Sequence, residues 1–162
     1  MDTLEAIRTK RSVRQFTSQP VPEETIRKIL DAGRRAQSSK NDQPWTFILI
    51  EDKERLSALS KCGTYAGHIA GAGFALVLVD HNNWSFDIGQ AAAYMQLAAW
   101  DLSVSSCLVY FQFPEKVKAL LGIPVDAAVE VGISFGYSAE ETRKMNKSGR
   151  KSLEEVVRKE HW

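Results

Sequence analysis

Phe74-Ala75-Leu76-Val77-Leu78-Val79, followed after a short polar gap by the alanine-rich stretch Ser85 to Leu102, decides how this chain folds. The first run is apolar at every position, and its length suits a strand better than a helix. With no polar alternation, it suits a central strand covered on both faces. The second stretch predicts a long helix, with Gly89, Ala92 and Ala93 small enough to let another helix approach closely. That neighbour belongs either to the same chain or to a second copy. Met95 reads as core filler.

Working outward, Trp45 to Ile50, Val104 to Phe111 and Ala127 to Phe135 are the other strand candidates. Leu4 to Thr9 predicts a short helix, and Pro22 marks the first turn of the next one, with Glu23 and Glu24 beside its positive end. That helix extends to about Ala36, with Ile26, Ile29 and Leu30 on one face. Asp52 is placed to cap a helix through Ser60, Pro114 opens one to Leu121, and Leu153 to Arg158 predicts a last short helix. Residues 10–20 and 37–44 read as irregular connections. The order predicts about four strands surrounded by helices. By itself it also permits a dinucleotide-binding doubly wound sheet, but no GxGxxG follows the first strand.

A chain of 162 residues fits one domain, 1–162, and is long enough for a core without disulfides or metal. Its 21 Lys and Arg against 20 Asp and Glu leave a net charge of +1, which argues against a broad nucleic-acid or membrane surface. Cys62 and Cys107 lack metal-ligand spacing, and His68, His81 and His161 are scattered, so reduced thiols and no metal site are expected. The first residues lack the apolar core of a signal peptide, and the apolar stretch Ile69 to Val79 is too short to span a bilayer. A soluble, cytoplasmic protein is expected.

Four segments carry candidate chemistry. Lys10-Arg11-Ser12-Val13-Arg14 offers three cations and a hydroxyl, the donor set for a phosphate cluster. Ser38-Ser39-Lys40-Asn41-Asp42-Gln43 offers hydroxyls and amides along a ligand edge. Asp87 to Ala99 is the small-residue helix, and Lys147 to Val157 is a second basic cluster ahead of a helix. Each alone also reads blandly, as a solvated turn, a loop, a core helix or a polar tail.

Taken together and in order, KRSVRQF, SSKNDQPW, DIGQAAAYMQLAA, SSCLVYF, LGIP with FGYSAEE, and RKSLEEVV resemble the nitroreductase family over nearly the whole chain. The resemblance implies an α+β fold, with a mixed or antiparallel central sheet surrounded by helices, that works as a homodimer with FMN at the subunit interface. Lys10, Arg11 and Ser12 then correspond to contacts with the phosphate and ribityl chain, and Arg14 to the residue under the pyrimidine edge of the flavin. Negative charge gathers there on reduction, and a guanidinium, which keeps its charge, stabilises it. Ser38, Ser39, Asn41 and Gln43 correspond to the loop that reaches the partner's flavin. Leu108, Val109 and Tyr110 correspond to main-chain contacts on its N5 side, and Arg150, with Lys147 and Lys151, to a second phosphate clamp.

The implied activity is ping-pong hydride transfer from NADH or NADPH, through FMN, to a nitroaromatic, a quinone or a related conjugated acceptor. Because the flavin carries this chemistry, no protein nucleophile or general acid is expected. His68, Trp84 and Tyr65 are within the range of pocket-lining residues but read as structural or surface positions. The alternatives are a non-catalytic FMN-binding protein and a dehalogenase- or dehydrogenase-type flavin enzyme. Gln37, Ser138 and Ser152 stand where the family often has proline, and Ser103 and Ser105 where it often has glycine. No long insertion lies between Asp80 and Asp87 or between Ala99 and Val104, so any lid is expected to be small.

Overall fold

The computed structural model describes residues 1–139 and 149–162. Lys147 and its neighbours in the expected second basic cluster lie outside the described residues. The described strands are β1 (Trp45–Ile50), β2 (Phe74–Asp80), β3 (Ser105–Tyr110) and β4 (Ala128–Gly136). They form one sheet in the order β1-β2-β4-β3, with every neighbouring pair antiparallel. A doubly wound parallel sheet is thereby excluded. The one parallel link is an isolated bridge between Ser12 and Ser106 at the free edge of β3.

β2 behaves as its composition predicts. All seven of its residues are buried, because alternate side chains feed different cores. Phe74, Leu76 and Leu78 point to the side covered by α2 (Glu23–Arg34) and α4 (Ser85–Asp101). Ala75, Val77 and Val79 point to the side covered by α3 (Lys53–Leu59) and α5 (Pro114–Leu121). On the first side Phe74 stacks on Phe135, with ring centroids 4.7 Å apart.

The close helix contact uses a different glycine from the one the sequence suggests. α2 packs against α4 where Gly33 meets Met95, and a Cβ at Gly33 would lie 2.6 Å from Met95 Cγ. Gly89 faces open space instead, so the small-residue pattern of α4 splits between a buried and an exposed face. Met95 is fully buried, as expected of a gap-filler.

Local signals fix most helix ends. Asp52 Oδ1 accepts from the Arg55 amide at 2.8 Å, and α5 starts at Pro114 and stops at Gly122 in the left-handed region. α1 (Thr3–Thr9) is capped by Asp2, whose Oδ1 accepts from the Glu5 amide. Three expectations shift. Pro22 is the N-cap of α2 rather than a residue of its first turn, and that helix ends at Arg34. α6 spans only Leu153–Val156. A 3-10 turn at Ala66–Gly71 has no strong sequence signal and carries His68.

Two of the positions where proline or glycine is common in similar proteins have visible local roles. Ser152 forms a capping box: its amide donates to Glu155 Oε2 at 2.8 Å and its hydroxyl accepts from the Glu155 amide. Ser103 holds φ at +62°, the left-handed conformation that follows the C-terminus of α4. Cys62 and Cys107 are buried free thiols. Among the described residues no helix is long and apolar enough to cross a membrane.

Candidate functional site

The chain leaves α1 at Lys10 and runs along the outer edge of β3. The Val13 amide donates to the Ser106 carbonyl at 3.1 Å, which makes Ser106 an outward-facing edge position. By the alternation of an antiparallel ladder, Leu108 and Tyr110 also turn their main-chain groups outward, while Cys107 and Val109 turn theirs to β4. Beyond Val13 the chain leaves this edge and is stitched to the end of β4: the Thr17 amide donates to Tyr137 and the Ala139 amide to Gln15. The edge beside Leu108 and Tyr110 is therefore open among the described residues, as main-chain contacts there require. The Leu108 and Tyr110 side chains are themselves exposed, whereas Val109 is buried.

Around the start of β3 the structure gathers Lys10, Ser12, Arg14, Cys107, His68 and Ser134. Lys10 is half-buried, and that burial lowers its ammonium pKa from the ordinary range. Arg14 is exposed and makes no ion pair with a carboxylate among the described residues. Burial raises the Cys107 thiol, against the pull of Arg14, Lys10 and the Ser12 hydroxyl, so it stays protonated at neutral pH. Arg11 is turned differently: its Nη1 donates to the carbonyls of Arg8 and Lys10, closing the end of α1.

His68 is the residue that sequence inspection set aside and the fold brings in. Its Nδ1 lies 2.8 Å from Ser134 Oγ, and that hydroxyl donates to the Cys107 carbonyl. The hydroxyl thus links the imidazole to the main chain of β3. Burial first, and Arg14 second, lower the imidazole pKa, which keeps the ring neutral at pH 7. No motif marks His68. Only the 3-10 turn packed over β4 places it.

The second loop lies elsewhere. Ser38 to Gln43 sits against the first turn of α4, where the Ser39 amide donates to Asp87 Oδ2 at 3.0 Å. The loop closes on itself, with the Gln43 amide donating to Ser38 Oγ at 2.9 Å. Three of its residues hold positive φ: Lys40 at 50°, Asn41 at 60° and Gln43 at 49°. The basic segment is anchored at the other end of α4, where Trp100 Nε1 donates to Thr9 Oγ1 and the Met1 amino group pairs with Asp101. The thirteen-residue rise from Asp87 to Trp100 separates these anchors by about 20 Å. Arg150 and Lys151 are exposed just ahead of α6, with no described bond to the basic segment.

The outer face of α4 and the neighbouring α1 is apolar yet uncovered. Phe86 is 64 % exposed, Leu4 78 % and Ile7 57 %, with Tyr94, Gly89 and Ala93 exposed on the same helix as Phe86. Phe86 lies in the first turn of α4, whereas α1 is anchored beside Trp100 and Asp101 at its other end.

An antiparallel sheet with helices on both faces, with Lys10 and Arg14 beside its β3 edge, defines an α+β protein. The nitroreductase family model matches residues 7–70, the part that holds both site loops and the His68 turn. A protein of Archaeoglobus fulgidus, provisionally named NADH dehydrogenase/NAD(P)H nitroreductase, is 33% identical over 152 residues, covering 86% of this chain and 87% of its own. One of the same name in Methanothermobacter thermautotrophicus is 31% identical, covering 86% and 79%. Among solved structures, an FMN-dependent nitroreductase of Clostridium difficile R20291 superposes with a TM-score of 0.89 at 30% identity, covering 99% of this chain and 100% of its own. The chain belongs to the nitroreductase family.

Proposed function

We propose that this protein binds FMN between two copies of the chain and acts as an NAD(P)H-dependent oxidoreductase on nitroaromatics, quinones or related conjugated acceptors. The observation that carries the proposal is the separation of the two half-sites. The cations of Lys10 and Arg14 and the hydroxyls and amides of Ser38, Ser39, Asn41 and Gln43 stand at opposite ends of α4. Anchored so far apart, they read as two halves of a site that two chains complete. A second copy docked on the apolar face of α1 and α4 supplies the missing half.

The donor set fits FMN. Lys10, Ser12 and the more distant Arg150 and Lys151 suit the phosphate. Arg14 suits the electron-rich pyrimidine edge, and the open main-chain edge at Leu108 and Tyr110 suits the polar rim of a planar ring. When bound, FMN supplies two-electron hydride chemistry between a nicotinamide and an acceptor. The protein's part is electrostatic and positional. Arg14 holds a permanent positive charge where negative charge collects, and Cys107, kept as a thiol, adds none.

An anaerobic visible spectrum of the purified protein reconstituted with FMN, taken before and after NADH or NADPH, tests the proposal. A flavin spectrum that bleaches supports it and ranks the donors. A flavin that binds but stays oxidised points to a binding role. No saturable FMN binding overturns it.

A further inference from the structure

Asp87 is a carboxylate only 4 % exposed, in the first turn of α4, and it is not a member of the expected ligand set. Its Oδ2 accepts from the amide of Ser39, forty-eight residues earlier. The loop it holds is unusual. Lys40, Asn41 and Gln43 are all non-glycine residues in the left-handed region, a conformation that persists only where the surroundings over-determine it. Four other bonds of residues 38–43 close the loop on itself: Asn41 amide to Ser38 carbonyl, Asp42 amide to Ser39 carbonyl, Gln43 amide to Ser38 hydroxyl and Gln43 Nε2 to Asn41 carbonyl. The Gln43 carbonyl accepts from the Trp45 amide at 2.9 Å, where the loop runs on into β1, and among the described bonds of Ser38 to Gln43 the Ser39 to Asp87 bond is the one that ties the loop to α4.

We propose that Asp87 is a positioning residue for the ligand loop, its buried carboxylate gripping the Ser39 amide so that residues 38–43 keep the left-handed shape that presents Ser38, Ser39 and Asn41. This rests on the reading of that loop as half of the flavin site. Asp87 also follows the exposed Phe86, so the turn that grips the loop belongs to the helix face assigned to the second copy. Docking of that copy and shaping of the loop are thereby coupled through one turn of helix. Asp87 itself touches no reacting atom.

The test compares Asp87→Ala, Asp87→Asn and Ser39→Pro with the parent, reading FMN affinity by flavin fluorescence and Ser39 and Asn41 amide exchange by NMR of the apoprotein. Ser39→Pro removes only the donor in backbone terms: Ser38 already has the extended conformation (φ −141°, ψ 157°) that precedes proline, and Ser39 opens a 3-10 turn. Ser39→Ala controls for the lost hydroxyl. Asp87→Ala is expected to weaken FMN binding by about tenfold or more and to deprotect Ser39. Asp87→Asn, whose carbonyl still accepts the bond, is expected to stay within about threefold of the parent. Ser39→Pro should match Asp87→Ala, and the double variant should be no worse than either single.

Unchanged Ser39 protection in Asp87→Ala overturns the proposal. So does an Asp87→Asn variant as weak as Asp87→Ala with Ser39 still protected, because the charge would then serve the helix end alone. If Asp87→Ala does not fold, Ser39→Pro against Ser39→Ala decides. If the parent binds no FMN, the flavin reading fails separately, while Ser39 exchange still reports whether Asp87 holds the loop.

Discussion

The two ends of α4 solve the problem of presenting polar groups in opposite ways. At the C-terminal end, Lys10 and Arg14 ride on a chain bridged to the edge of β3 and stitched to the end of β4, and His68 and Ser134 brace it from behind. The groups there are charged, and their backbone is ordinary. At the N-terminal end, the presented groups are neutral hydroxyls and amides, while three backbone residues hold positive φ and a buried carboxylate accepts from the Ser39 amide. Charge on a rigid edge needs little local shape. Neutral donors need exact direction, and here that direction comes from left-handed residues costing about 1–3 kcal/mol each.

The largest expected effect comes from separating the two ends. Phe86→Glu places a charge on the apolar face and should turn the protein into a monomer, with FMN affinity falling at least about a hundredfold. Sedimentation velocity together with an FMN titration measures both. A variant that keeps the parent's mass and affinity would mean the halves of the site do not meet across this face.

Next in size, Arg14→Ala removes a cation from the rigid end. Loss of a charged hydrogen-bond partner is worth about 1.5–3 kcal/mol, so FMN affinity should fall by about ten- to a hundredfold. The flavin midpoint potential should become more negative, as read by anaerobic titration. A potential that does not move would place Arg14 away from the site of charge build-up.

The braced end should also be the acid-sensitive one. His68 has its pKa lowered from the ordinary 6.5 by burial and by Arg14, so the unfolded chain binds the proton more readily. The stability it contributes is present above pH 6.5 and is lost as pH falls through the lowered value. Thermal melts between pH 5 and pH 7.5 should show this slope in the parent and a shallower one in His68→Gln. Equal slopes would show that the imidazole is not held neutral.

The smallest effect distinguishes strain that serves a ligand from strain that does not. Ser103 is left-handed like Lys40 and Asn41, but it only ends α4. Ser103→Gly should therefore stabilise the protein by about 0.5–1 kcal/mol in denaturant unfolding without altering FMN affinity. An affinity change would bring residue 103 into the site.

Much of this was legible in the residues. The unbroken apolar run of β2 announced a strand buried on both faces, and Asp52 and Pro114 marked the starts of their helices, because such signals act over a few bonds. KRSVR and SSKNDQ were visible as clusters of donors in one dimension, and the family resemblance is what reads them as ligand loops. His68 and Asp87 did not stand out as site residues. Their roles depend on partners sixty-six and forty-eight positions away, through Ser134 and Ser39. The helix contact was equally hidden: α4 offered several small residues, and packing chose Gly33 on the other helix to meet Met95.

Composition and order by themselves determined about four strands among helices, two polar loops rich in donors and a long helix with small residues; the α+β expectation came from the family resemblance. Tertiary structure alone decided that the sheet is antiparallel in the order β1-β2-β4-β3, and that the two loops are anchored at opposite ends of that helix. Local sequence fixes backbone preference and hydrophobic period, which are properties of neighbours along the chain. Strand order, and the distance between two loops, are fixed by which buried surfaces pack together, and that is a property of the whole chain.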